Sequence, residues 1–146
     1  MVMSFSSCLE NGLEDLETYT DTKITAINFE YRWMVPENPN DEWSSEKLQV
    51  KTLSTKAVIT DGIIKCNITV PAASGKFTEE VRNSVTLQNI IAYVTISPGA
   101  TVKPNVDTPV LGHKGDFSKP NLSYKVISAD GKNEQDWELV IEKFNK

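Results

Sequence analysis

Apolar side chains return at every second position in four stretches of the chain, the period that sets one face of a β-strand on a core and the other in water. In the first, Ile27, Phe29, Tyr31, Trp33 and Val35 alternate with Asn28, Glu30, Arg32 and Met34. Ile64, Cys66, Ile68 and Val70 repeat the pattern around Lys65, Asn67 and Thr69. Leu122, Tyr124 and Val126 alternate with Ser123, Lys125 and Ile127, and Trp137, Leu139 and Ile141 with Glu138, Val140 and Glu142. Shorter runs at Leu48–Lys51, Ala57–Ile59 and residues 90–96 bring the expected total to about seven strands.

The segments between these runs carry turn chemistry. Asp61-Gly62 between Thr60 and Ile63 predicts a two-residue hairpin, because that turn needs positive φ. Pro36-Glu37-Asn38-Pro39-Asn40-Asp41-Glu42 predicts a loop, since two prolines remove ladder donors and Asn and Asp favour turns. Gly99 and Gly131 suit positive φ in the same way, and Asp116 followed by Ser118 suits an Asx turn. Thr78-Glu79-Glu80-Val81-Arg82 predicts one helical turn capped by Thr78. Short strands at this spacing with almost no helix predict an all-β fold, an antiparallel β-sandwich. The sandwich domain is expected over 23–146, preceded over 1–22 by a polar, acidic tether.

A chain of 146 residues makes one domain and buries most of its apolar surface. The net charge of -5 with scattered basic residues excludes a phosphate-binding surface of the nucleic-acid type. No run approaches the ~20 apolar residues of a membrane-spanning helix, so membrane attachment is expected only through a covalent anchor.

Two cysteines and one histidine cannot furnish the four ligands of a structural zinc site. Cys66 is expected in the core as a small hydrophobe, with a Cys8–Cys66 disulfide as the alternative. Cys8 follows Phe5-Ser6-Ser7, which looks like the end of a bacterial lipoprotein signal, and an acidic tether-like segment follows it. The alternative is an incidental cysteine. Only seven residues precede it, without the basic start and apolar run of a secretory signal.

Candidate chemistry is sparse. No phosphate-cradling loop, nucleophile elbow or zinc spacing occurs. His113 lies among Gly112, Lys114 and Gly115 and reads as a solvated loop residue without a carboxylate to orient it. The acid pairs Glu79-Glu80 and Asp41-Glu42 read as solvated faces, and Asn38, Asn40, Asp41 and Glu42 lack the spacing of a calcium loop. No cofactor, metal or catalytic residue is expected, and the protein is expected not to be an enzyme. Trp43, beside Asp41, Glu42 and Ser44, has two readings: a platform on which a sugar ring stacks, or a plug folded over the end of the sandwich. Asn67-Ile68-Thr69 and Asn121-Leu122-Ser123 match the eukaryotic glycosylation sequon, a coincidence if the sequence around Cys8 marks a bacterial lipoprotein.

Ile96-Ser97-Pro98-Gly99-Ala100-Thr101-Val102-Lys103-Pro104, Gly115-Asp116-Phe117-Ser118, Tyr124-Lys125-Val126, Ala129-Asp130-Gly131 and Trp137–Ile141 together form a recognisable pattern. It resembles the immunoglobulin-like domain of uncharacterised cell-surface lipoproteins of Bacteroidetes, families of unknown function. Asn105–Lys114 is a longer segment than that pattern has. The resemblance implies an exported, lipid-anchored immunoglobulin-like sandwich at the outer membrane or cell surface, often near glycan-uptake systems, and carries over no catalytic residue. The expected function is a monomeric, non-catalytic binding or spacer module with a glycan ligand. The alternative is an adhesive subunit that pairs with a surface protein through a sheet edge.

Overall fold

A computed structural model describes residues 19–146. Over these residues the fold is all-β, with one short helix between strands, and the seven described strands form a single mixed sheet that nearly closes into a barrel. In chain order the elements are β1 (Ile24–Pro36), β2 (Glu46–Thr60), β3 (Ile63–Thr69), α1 (Glu79–Ser84), β4 (Ile91–Ile96), β5 (Thr101–Pro104), β6 (Leu122–Ile127) and β7 (Glu134–Asn145). Across the sheet the order is β4-β1-β2-β3-β7-β6-β5.

Where alternation is strong the strands form as it predicts. Ile27, Phe29 and Tyr31 of β1, Ile64, Cys66 and Ile68 of β3, Leu122, Tyr124 and Val126 of β6, and Trp137 and Leu139 of β7 all face one core. Phe117 completes it, its ring edge-on to Phe29 at 5.6 Å. Trp33 is only half-buried, lying between Tyr31 and Phe77. Tyr124 is fully buried, and its hydroxyl donates to the Pro109 carbonyl at 2.6 Å. Thr78 caps α1 by accepting from the Val81 amide.

Three expectations are corrected. Leu48–Lys51 and Ala57–Ile59 belong to one continuous strand, β2, whose first half pairs β1 and whose second half pairs β3. Most β2 side chains are exposed and only Leu53, at the change of partner, is buried, so the strand lacks the alternating mark of a core face. The seventh strand is instead β5, four residues at the edge of the sheet. Pro104 ends it at an edge, where a missing N–H disrupts no ladder. The sheet is also not antiparallel throughout, because β3 and β7 run parallel from Ile63↔Glu138 to Thr69↔Asn145. A parallel pair needs a long crossover, and all the chain between β3 and β7 supplies it.

The edge at β4 is partly covered. The amides of Gly112, Gly115 and Phe117 donate to the carbonyls of Ala92, Ile90 and Leu87, so the segment after β5 runs along β4 and Ile90 forms a bridge with Gly115. At the other end of the chain, the carbonyl of Thr22 accepts from the Trp137 indole at 2.9 Å and that of Thr20 from the Asn133 side chain at 3.0 Å. These bonds fasten residues 20–22, the end of the expected tether, to β7 and its preceding turn.

Candidate functional site

The β1–β2 hairpin ends in residues 37–45, where Asn38, Asp41 and Ser44 bond the loop's own backbone. Ser44 Oγ accepts from the Asn38 amide at 2.7 Å, Asn38 Oδ1 from the Asn40 amide at 3.2 Å, and Asp41 Oδ1 from the Trp43 amide at 3.0 Å. Such side-chain turns replace the ladder bonds that the two prolines deny. At the base, Glu37 accepts from Ser45 Oγ and pairs with Lys47 at 2.7 Å. The Lys47 ammonium and then the Ser45 hydroxyl hold the Glu37 carboxyl below its ordinary range.

Trp43 stands on this pinned loop with 91% of its surface exposed. It covers nothing, so the reading of Trp43 as a plug over the end of the sandwich is overturned. Asp41 and Glu42 beside it are exposed as well. On the outer face just below, Met34 is directly opposite Leu48, and Val50 follows two residues along; all three are exposed. The hairpin end therefore combines one free indole, two carboxylates and an apolar strip. Met34 on the polar side of the β1 alternation is the visible trace of that strip in the sequence, while Leu48 and Val50 predict only a strand.

A concave surface lies along the longer segment after β5. A cleft of about 450 Å³ is lined by Asp107, Pro109, His113, Lys114, Asp116 and Lys119, among others. A neighbouring one of about 490 Å³ shares Asp107 and Lys119 with it and extends to Asn105 and Asn121. Asp107 and Asn121 both adopt left-handed backbone, with φ of 58° and 59°, which Asp and Asn tolerate best among residues with a Cβ. Gly115 admits Pro109, whose Cβ would stand 2.4 Å from an added methyl group.

His113 is exposed at the rim of this cleft. Asp116 is committed to an Asx turn, accepting from the Ser118 hydroxyl at 2.5 Å and the Ser118 amide at 2.9 Å. Those two bonds, the hydroxyl first, hold its carboxyl below the ordinary range. Glu79 and Glu80 lie in the first turn of α1, exposed. Among the described residues no three His, Cys, Asp or Glu side chains gather into a metal-binding group. Asn67 lies on β3 and Asn121 just before β6. Cys8 lies outside the described residues, and Cys66 is a buried free thiol. Burial and then the charge of Glu142 push that thiol up to about 12.

The crystal structure of a candidate secreted protein from Bacteroides fragilis superposes with a TM-score of 0.77 and 29% sequence identity, over 88% of this chain and 99% of that one. No curated protein matches the chain significantly. The model of the DUF5018-related family matches residues 24–140, the span from the first residue of β1 to the middle of β7, and the chain belongs to that family.

Proposed function

We propose that the protein is an exported, non-catalytic binding module with a glycan as its ligand, held at the cell surface by a lipid on Cys8. The observation that carries this reading is the free face of Trp43. An indole exposed at 91% on a loop pinned by its own hydrogen bonds is available at small ordering cost. Its apolar face suits the C–H face of a pyranose, and the Asp41 and Glu42 carboxylates beside it can accept sugar hydroxyls.

Export is supported by likeness to a candidate secreted protein, and anchoring by the residues around Cys8. The fold reads as an immunoglobulin-like sandwich in which β2 belongs to both layers: its first half to β4 and β1, its second to β3, β7, β6 and β5. An oligosaccharide array tests the binding. The wild-type protein should bind a subset of glycans and Trp43→Ala should lose them; retention of the same glycans by Trp43→Ala would remove the platform. Palmitate labelling in a bacterial host tests the anchor, and label on a Cys8→Ala protein would refute it.

A second reading, attachment of another chain along a sheet edge, is favoured by the second half of β2, which among the described residues has a strand partner on one side alone.

A further inference from the structure

β1 and β2 part company at Phe29↔Leu53. Beyond that pair β2 turns to β3 from Ser54 to Thr60, and β1 continues back to Ile24 paired with β4 alone. Among the described residues each strand is thereby left with one unpaired edge, and the two edges diverge around a common opening. At its wide end lies a cleft of about 290 Å³ with Lys23, Ile24 and Thr25 on one wall, Ile59, Thr60 and Asp61 on the other, and Trp137 between them. The inner face of β2 opens to this seam. Ala57 is exposed although Cys66, its direct partner on β3, is 1% exposed, and on the outer face Val58 is 65% exposed.

An unpaired edge presents a row of main-chain donors and acceptors that an extended chain can complete. We propose that this seam is an acceptor for a β-strand of another protein, which adds along Ser54–Thr60. Seven residues at about 3.3 Å each make an edge of roughly 23 Å, enough for the main-chain bonds of a short recognition strand. The incoming strand carries an apolar side chain toward Ile24, Ile59 and Trp137, and an acidic one toward Lys56 and Lys23.

The occupant is a single extended segment and not a second folded copy, for two reasons. Strands stand on both sides of the cleft, so a copy whose own β2 is fixed to β3 cannot enter between them. In symmetric antiparallel pairing centred on Ala57, the two Lys56 residues would also become diagonal neighbours, their backbones about 7–8 Å apart, and their like charges would repel. An acidic partner turns the same lysine into an attraction. This attachment does not rest on the Trp43 reading, and its test does not involve glycan.

The probe is a blocked seven-residue peptide alternating valine with threonine and glutamate, titrated into isotope-labelled protein. Saturation should slow amide exchange across Ser54–Thr60, and methylating alternate peptide nitrogens should weaken binding by about tenfold or more, the equivalent of one or two lost hydrogen bonds. Ala57→Glu should weaken it similarly while keeping the wild-type melting temperature. Unchanged exchange at millimolar peptide, equal binding of the methylated peptide, or protection confined to other strands would overturn the proposal. So would a concentration-dependent dimer that Ala57→Glu abolishes, which would assign the edge to a second copy.

Discussion

At the scale of single residues, Cys66 shows how packing sets chemistry. Its thiol is buried opposite Ala57, and its folded value near 12 lies well above the ~8.5 of a free thiol. Between those values the unfolded chain loses a proton that the folded chain keeps, so stability contributed by the neutral thiol is complete below about 8.5 and declines as pH rises. Cys66→Ser should flatten part of the alkaline fall in the urea midpoint between pH 8 and 10, and native protein at pH 8 should resist alkylation at this position. Rapid labelling of folded protein at Cys66 would contradict the burial. Gly115 is constrained from the opposite direction, by space. Gly115→Ala drives a methyl group against Pro109 and should cost about 1–3 kcal/mol in urea unfolding, the usual range for overpacking.

Elements differ in how plainly the sequence announces them, and the reason is which face each one buries. β1, β3, β6 and β7 each set alternate side chains on the shared core, so period two marks them. β2 escapes that rule because its side chains are mostly solvated and only Leu53 enters the core, at the point where the strand exchanges β1 for β3. Leu53→Ala should therefore cost about 2–5 kcal/mol, as core truncations do, whereas Val58→Ala on the same strand should cost little. Comparable losses at both positions in urea titrations would contradict this difference in burial. The parallel pairing of β3 and β7 joins segments far apart in sequence and leaves no local trace. Turns were better advertised: Gly99 and Gly131 take φ of 77° and 74°, and Asp130 accepts from Ser128 Oγ and the Lys132 amide. Those two bonds, the hydroxyl first, keep the Asp130 carboxyl below its ordinary range. The stabilisation is present above the unfolded value near ~3.9 and is lost as pH falls through the folded one. The urea midpoint should thus fall on acidification below pH 4, and less steeply in Asp130→Asn; an identical slope would detach this turn from acid stability.

Over the whole molecule, the described surface offers three regions: a hairpin end with an exposed indole, a cleft along the segment after β5, and a seam where β1 and β2 separate. The sequence pointed to the first two through Trp43 and the longer Asn105–Lys114 segment. For the third it suggested pairing through a sheet edge without saying which, because an unpaired edge is a property of pairing and not of composition. Trp43 itself was legible as a candidate, yet whether it lay in or out of the core depended on how residues 37–45 close upon themselves. The most direct test of the binding reading uses the three tryptophans as reporters. In a proton–nitrogen correlation spectrum titrated with a soluble oligosaccharide selected on the array, the indole signal of Trp43 should shift while those of Trp33 and Trp137 stay in place. An unmoved Trp43 signal, with shifts at other residues or at none, would contradict the account.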